Sequence, residues 1–148
     1  MNNNNNKSKC DLYFAYGSNL NPTQMGSRCP GAMPFGKGVM ADWDFRIGHR
    51  GVATIAPRLG GHVWGGLWKV TPGHLEALDE FEGVGSGLYE RELVEVRVGD
   101  KCVEAVAYIE PFAFDGEPRT GYLDRILTGA QWFELPESYI NTLKEVGA

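Results

Sequence analysis

The first residue of this sequence whose position suggests chemistry is a glutamate at the end of an amphipathic segment. At 3.6 residues per turn, Leu75 and Leu78 share one face of a predicted helix, and Glu82 falls between them on that face. Gly83 follows at once and is typical of a helix end. A carboxylate on an apolar face at the negative end of a helix has a raised pKa. Glu82 is therefore a candidate general acid or base near neutral pH.

The same helix carries other acidic residues that serve as a comparison. Glu76 and Glu80 fall on the polar side, and Asp79 falls at the edge of the apolar face. If the helix ends one turn earlier, however, Glu82 lies on an exposed loop and has no special environment. The sequence alone leaves both assignments open.

A glycine turn directly follows the first predicted strand and is the second candidate feature. Gly17 permits a sharp turn, and Asn19 tolerates left-handed backbone geometry. Successive backbone N–H groups in such a turn form a cradle for a carboxylate or a developing oxyanion. The alternative is an ordinary turn that ends a strand. Ser18 is disfavoured as a nucleophile, because the turn lacks the GxSxG pattern and has no histidine nearby.

Composition indicates a folded chain and argues against several partners. The 148 residues are 43% hydrophobic, which suits one domain with one core. A net charge of −5 argues against nucleic acid and anionic membranes as partners. Neither a membrane-spanning run nor a secretory signal is present, so a cytoplasmic location is expected. The three cysteines and three histidines lack the spacing of a disulfide framework or a metal site.

Cap residues and periodicity predict four helices. Asn21 and Thr71 are good N-cap residues, and each is followed by a proline suited to the first helical turn. The predicted helices run over Pro22–Arg28, from Pro72 to about Glu82, from Thr120 through Thr128, and from Pro136 onward.

Short apolar runs between turn residues predict seven strands. They are Leu12–Tyr16, Phe35–Met40, Trp43–Ile47, Val52–Ala56, Val63–Val70, Tyr89–Val98 and Cys102–Ile109. Gly65 and Gly66 indicate a bulge or a close backbone approach. The fold class is therefore α+β, with a mostly antiparallel sheet or small barrel. We expect an Asn-rich disordered tail over residues 1–9, a single domain over residues 10–148, and a loop at Pro111–Arg119.

Two long motifs, in this order along the chain, resemble the γ-glutamylcyclotransferase family: YFAYGSNL at residues 13–20 and LDEFEGVGSGLY at residues 78–89. The segment WGGLW at residues 64–68 and the stretch from Gly129 to Tyr139 are similar to further segments of that family. The resemblance covers roughly residues 12 to 146, with the loop Pro111–Arg119 differing in detail. It implies a small, mixed, mostly antiparallel β-barrel surrounded by helices, with a cavity at its mouth and with neither cofactor nor metal.

The resemblance also implies site residues. It assigns the catalytic carboxylate to Glu82, the residue that helical geometry had already selected. It assigns binding of the γ-glutamyl portion to the turn, and cavity positions to three tyrosines whose alternative role is packing at the edge of the core. The implied substrate-binding residues are Tyr16, Gly17, Ser18, Asn19, Leu20, Tyr89, Tyr108 and Tyr122.

The reaction implied is the cyclisation of γ-glutamyl amino acids or related γ-glutamyl amides, with Glu82 as general acid and base. It releases 5-oxoproline and a free amino acid or amine. Three alternatives stay open: a γ-glutamylamine cyclotransferase, a biosynthetic enzyme that removes a γ-glutamyl protecting group, and a catalytically silent binding module. The expected partner is a small γ-glutamyl molecule, without nucleic acid or membrane, and a homodimer is left open.

Overall fold

Five strands close into a barrel in a computed structural model that describes residues 11–111 and 115–146. The predicted tail over residues 1–9 lies outside the described residues. The order around the barrel is β1-β3-β2-β4-β5. Only β1 and β5 pair in parallel, so the predicted mixed, mostly antiparallel barrel is confirmed. The strands are β1 (Asp11–Ala15), β2 (Met33–Ile47), β3 (Ala53–Val70), β4 (Glu90–Val98) and β5 (Lys101–Ile109).

Two long strands replace four of the predicted short ones. β2 and β3 pair along their length, from Met33 opposite Lys69 to Ile47 opposite Ala53. A register shift interrupts β2 at Asp42, whose φ is +69°. Because a bulge bends a strand without ending its hydrogen bonding, the breaks in the sequence pattern mark bends within one strand rather than strand ends.

Gly65 and Gly66 in β3 mark a close approach to neighbouring parts of the chain. This was one of the two predicted alternatives, the other being a bulge. A Cβ atom on Gly66 would lie 2.4 Å from the ring of Phe133, and one on Gly65 would lie 2.4 Å from the carbonyl oxygen of Ala15. The absence of side chains here lets the end of a helix and the neighbouring strand pack directly on the barrel wall.

Four α-helices of the described residues surround the barrel: α1 (Pro22–Arg28), α2 (Pro72–Phe81), α3 (Tyr122–Trp132) and α4 (Glu137–Glu145). Both predicted caps are present. Asn21 Oδ1 accepts hydrogen bonds from the N–H groups of Thr23 and Gln24, and Thr71 Oγ1 accepts one from the N–H of His74. These bonds satisfy N–H groups that a helix start leaves unpaired.

The prediction for α3 was wrong at both ends. The helix follows Gly121, which has a φ of +79° and no side-chain cap, so Thr120 is not the N-cap. It continues past Thr128 to Trp132, and within this extension Gly129 packs tightly against the chain near Leu20, where a Cβ would lie 2.3 Å from the Leu20 carbonyl carbon. That contact is tertiary, so the local sequence does not reveal it.

The apolar core fills the barrel and the space between the barrel and its helices. Phe14, Leu67 and Val96 are completely buried, while Leu93 on β4 is 67% exposed. Burial of a large apolar side chain contributes about 1.5–3 kcal/mol. Among the described residues, no helix has the length and apolar character needed to cross a membrane.

Candidate active site

A cavity of about 350 Å³ opens at the mouth of the barrel. The turn after β1, the loop between β2 and β3, the end of α2 and the start of α3 meet there. Every predicted site residue except Leu20 lines it. The lining residues are Tyr13, Tyr16, Gly17, Ser18, Asn19, Arg28, Arg50, Val52, Ala53, Phe81, Glu82, Tyr89, Tyr108, Arg119, Thr120, Tyr122 and Arg125.

Leu20 differs from its neighbours in the turn. Its side chain is completely buried in the core, and it is not among the lining residues of the described chain. Its backbone and Cβ lie against Gly129 of α3. Leu20 therefore anchors the turn to α3, and its predicted role in substrate binding stays a prediction.

Glu82 caps the C-terminal end of α2. Its N–H donates to the Leu78 carbonyl at 2.8 Å, and its φ and ψ of −89° and −2° are still helical. Gly83 then turns the chain into the left-handed region with a φ of +66°. The early helix end that would have exposed Glu82 does not occur, and the Glu82 side chain is only 17% exposed.

Burial is the main influence on the Glu82 carboxylate, and it raises its pKa above the ordinary value. Arg28 and Arg50 act in the opposite direction, and their positive charges lower the same pKa without cancelling the effect of burial. Arg28 Nη1 lies 3.9 Å from Glu82 Oε2, beyond hydrogen-bond distance. Glu82 is therefore a carboxyl group that keeps its proton to a higher pH than an exposed glutamate does.

The turn owes its shape to close packing rather than to left-handed residues. The φ of Gly17 is −119°, but a Cβ there would lie 3.0 Å from Ala53 Cβ and 3.2 Å from the Tyr122 hydroxyl. Ser18–Leu20 forms one turn of 3₁₀ helix, closed by a 3.0 Å bond from the Leu20 N–H to the Gly17 carbonyl. Asn19 does not use the left-handed geometry that it tolerates, and the left-handed non-glycine residues of the described chain are Asp42 and Glu134.

Asn19 instead fixes the turn with its side chain. Its Nδ2 donates to the Tyr13 hydroxyl at 2.9 Å, and its Oδ1 accepts from Gln24 at 2.9 Å and from Arg28 at 3.3 Å. Its backbone carbonyl accepts the indole N–H of Trp68 at 3.0 Å. Because Asn19 is 4% exposed, these bonds satisfy almost all of its buried polar capacity.

The predicted tyrosines line the cavity, and the hydroxyls of Tyr16, Tyr89 and Tyr122 are tied to the barrel. Tyr16 donates to the carbonyl of Tyr108, and Tyr89 donates to the carbonyl of Ala53 at 2.5 Å. The Ala53 N–H in turn donates to the Tyr122 hydroxyl at 2.9 Å. Ala53 therefore holds two tyrosines, and its position opposite Gly17 links them to the turn.

These tyrosines are neutral hydrogen-bonding groups at ordinary pH. Burial is the largest effect on Tyr16, Tyr89, Tyr108 and Tyr122 and raises the pKa of each phenol. For Tyr122, hydrogen bonds from Ala53 and with Ser18 lower the pKa, but burial prevails. A phenol that stays protonated serves as a hydrogen-bond donor and not as a base.

Four arginines in the lining were missed by the sequence reasoning. Arg28 ends α1, Arg50 lies in the loop between β2 and β3, Arg119 precedes α3, and Arg125 lies within α3. No local pattern joins positions so far apart in the chain. The net negative charge gave no indication of these arginines, because it is a property of the whole chain and not of one cavity.

Within residues 11–111 and 115–146, no three His, Cys, Asp or Glu side chains are grouped to hold a metal ion. His74, one of the histidines in the sequence, instead caps α2, where its Nδ1 accepts the Thr71 N–H at 3.1 Å.

Comparison with known proteins gives consistent matches. The sequence model of the AIG2-like family matches residues 62–143. Human γ-glutamylcyclotransferase is 34% identical over 148 residues, a match that covers 91% of this chain and 78% of the human protein. The mouse γ-glutamylcyclotransferase is 32% identical with the same coverage. A solved structure named γ-glutamyl cyclotransferase superposes with a TM-score of 0.89 at 32% identity, covering 93% of this chain and 88% of that one.

Proposed function

This chain belongs to the AIG2-like family and is an enzyme of the γ-glutamylcyclotransferase class, and from that premise we propose that it cyclises γ-glutamyl amides with Glu82 as the proton-transferring group. The products are 5-oxoproline and a free amino acid or amine. The observation that carries the proposal is the position of Glu82. It is the one carboxylate among the described lining residues, and it shares the cavity with the turn at Gly17.

The reaction is an intramolecular aminolysis. The α-amino nitrogen of the substrate attacks its own γ-carbonyl carbon, a C–N bond of the five-membered lactam forms, and the original amide C–N bond breaks. The α-amino group begins as an ammonium, so the Glu82 carboxylate removes a proton before attack. Protonated Glu82 then delivers that proton to the departing nitrogen. The attacking nitrogen loses a second proton as it becomes the lactam N–H, and this proton passes through the regenerated Glu82 carboxylate to the released amine, which leaves as an ammonium. General acid–base catalysis of this kind accelerates reactions by about 10²–10⁴-fold.

The environment of Glu82 suits both halves of this cycle. Burial raises the pKa of Glu82, so its carboxylate is a stronger base than an exposed one. Arg28 and Arg50 lower the same pKa and so favour the ionised form that accepts a proton. A carboxyl group poised in this way accepts a proton in one step and returns it in the next.

The turn is proposed to hold the γ-glutamyl portion. Gly17, Ser18 and Asn19 line the cavity, and their rigid backbone is fixed by the Asn19 hydrogen bonds. Backbone N–H groups there would receive the α-carboxylate or the oxyanion of the tetrahedral intermediate. Because the nucleophile is already tethered, the main task of this surface is to fold the substrate into attack geometry.

The test is product analysis in ¹⁸O-labelled water. With γ-glutamyl-alanine as substrate, we expect unlabelled 5-oxoproline and alanine by mass spectrometry, since water is not a reactant. A reaction without protein measures spontaneous cyclisation. Labelled glutamate would show hydrolysis instead. A ligand that binds without any product would favour the silent binding module, and turnover of a γ-glutamyl-amine in preference to γ-glutamyl-alanine would favour the amine-specific alternative.

A further inference from the structure

The cavity carries a charge opposite to that of the whole protein. Four arginine side chains and one carboxylate line it, within a chain whose net charge is −5. Since charges close to a bound molecule act on it most strongly, these guanidinium groups and not the net charge determine which substrates are favoured.

Only one of the four arginines has a carboxylate beside it. Arg28 lies 3.9 Å from Glu82, bonds to Asn19, and packs over the Phe81 ring at 4.7 Å. Among the described residues, no ion pair involves Arg50, Arg119 or Arg125. Three guanidinium groups of the lining therefore have no carboxylate at ion-pair distance in this part of the chain, although Arg50 lowers the pKa of Glu82 from further away.

Arg50 is the most informative of these three. Its Nη2 is buried and has no hydrogen-bond partner among the described residues, and its guanidinium carbon lies 5.1 Å from the centre of the Tyr89 ring. A buried donor without a partner is costly in a folded protein and requires an explanation. A ligand carboxylate would satisfy this donor, because the guanidinium fork matches two carboxylate oxygens.

The surrounding loop holds Arg50 in a defined position. The Arg119 Nε donates to the Arg50 carbonyl at 2.9 Å, and the Arg119 N–H donates to the Gly51 carbonyl at 3.0 Å. A Cβ on Gly51, whose φ is +81°, would lie 2.8 Å from Arg119 Cγ. The loop between β2 and β3 and the segment before α3 are thus packed together, and they present two guanidinium groups to one cavity.

The charges of a γ-glutamyl substrate can be matched to these groups. The γ-glutamyl portion brings one ammonium, which meets Glu82, and one carboxylate, which the turn is proposed to receive. A leaving amino acid with a neutral side chain adds one more carboxylate, and an acidic one adds two. Three unpaired arginines suit the second case better, and a cationic amine would be repelled. The cavity volume of about 350 Å³ is within the range for small-molecule sites, about 300–1,000 Å³.

We propose that this enzyme prefers γ-glutamyl substrates whose leaving group is an acidic amino acid, and that Arg50 is the residue that sets this preference. The proposal rests on the proposed function and specifies its substrate class. Arg119 and Arg125 add positive charge, while Arg50 supplies the buried donor that the leaving-group carboxylate satisfies.

The test compares two substrates of nearly equal shape, γ-glutamyl-glutamate and γ-glutamyl-glutamine, which differ in one negative charge. For the unmodified enzyme we expect kcat/KM to favour γ-glutamyl-glutamate by at least about tenfold, as charge-assisted hydrogen bonds to a guanidinium allow. In Arg50→Gln, the ratio falls toward one, mainly through a higher KM for γ-glutamyl-glutamate. Arg97→Gln, the same change at an exposed position of β4 outside the cavity, leaves the ratio unchanged.

The outcomes separate the two proposals. Clear 5-oxoproline release with a ratio near one, or with γ-glutamyl-glutamine preferred, overturns the substrate preference and leaves the proposed function in place. A preference that survives in a folded Arg50→Gln protein overturns the role of Arg50. If that variant fails to fold by circular dichroism, Arg119→Gln is measured in its place, and an unchanged ratio there counts against the arginine-based preference. No 5-oxoproline from either substrate or from γ-glutamyl-alanine overturns the proposed function, and the preference falls with it.

Discussion

Asp79 and Glu82 lie three residues apart on one helix, yet the surroundings of their carboxylates shift the two pKa values in opposite directions. Asp79 meets Arg91 at 2.5 Å and 3.1 Å and accepts the Tyr108 hydroxyl at 2.7 Å. Burial acts to raise its pKa, but these hydrogen bonds and the Arg91 charge outweigh it and leave the pKa lowered. Glu82 is more deeply set, its nearest recorded cation is 3.9 Å away, and burial leaves its pKa raised.

The difference shows what separates a structural carboxylate from one suited to catalysis. Direct hydrogen bonds to the charged form stabilise Asp79 as an anion and tie α2 to β4 and β5. Glu82 is partly desolvated without such bonds, so its protonated and ionised forms are closer in free energy. A stability-optimised protein would not place a carboxylate there, and that cost is characteristic of a functional site.

The largest expected contrast between the two is in turnover. Glu82→Gln should lower kcat for 5-oxoproline release by about 10²–10⁴-fold, since the amide neither accepts nor returns the proton. Substrate binding, measured by calorimetry, should persist. Asp79→Asn should lower kcat far less. Glu80→Gln, on the exposed side of the same helix, is the matched control. Near-normal turnover by a folded Glu82→Gln protein would remove Glu82 from the mechanism.

A second contrast concerns the sign of the stability change. A carboxyl group with a raised folded-state pKa destabilises the fold once it is ionised, so Glu82→Gln should raise the free energy of unfolding at pH 7. A lowered pKa has the opposite effect, so Asp79→Asn should reduce it, by less than about 1 kcal/mol for a partly exposed pair. The Asp79 contribution is present above the unfolded-state pKa and is lost as the pH falls through the folded-state value.

Urea unfolding at pH 7 and at progressively lower pH measures both changes. The two differences should shrink as the carboxyl groups become protonated in both states. If both substitutions changed the free energy of unfolding in the same direction at pH 7, the opposite pKa shifts of Asp79 and Glu82 would not be what determines their effects on stability.

The smallest expected effect is a displacement of the pH profile. Arg28 is the first of two cations that lower the pKa of Glu82, so Arg28→Gln should move the acidic limb of the kcat/KM profile to higher pH. Arg91→Gln acts on Asp79 instead and should leave that limb in place. A movement to lower pH in Arg28→Gln would contradict the assignment of this limb to Glu82.

The local parts of the site were accessible from the sequence. Apolar spacing at Leu75 and Leu78 placed Glu82 on the inner side of α2, and Thr71 and Asn21 identified two helix starts. Each of these features depends on residues within one or two turns of each other. The start and end of α3 were not accessible in this way, because the helix starts after Gly121 without a side-chain cap and its last turn packs against residues distant in the chain.

What the sequence by itself determined was therefore the α+β class, the helix that carries Glu82 and the glycine turn, since periodicity, caps and turn residues act over short stretches of chain; the closed barrel was implied only by the family resemblance. Only the tertiary structure decided that the turn owes its shape to Ala53 and Tyr122, that Asp79 is hydrogen-bonded to an arginine while Glu82 is not, and that Arg50, Arg119 and Arg125 share their cavity. The physical reason is that burial and electrostatic pairing depend on distances in space, and closing the barrel brings together residues that are far apart in the chain.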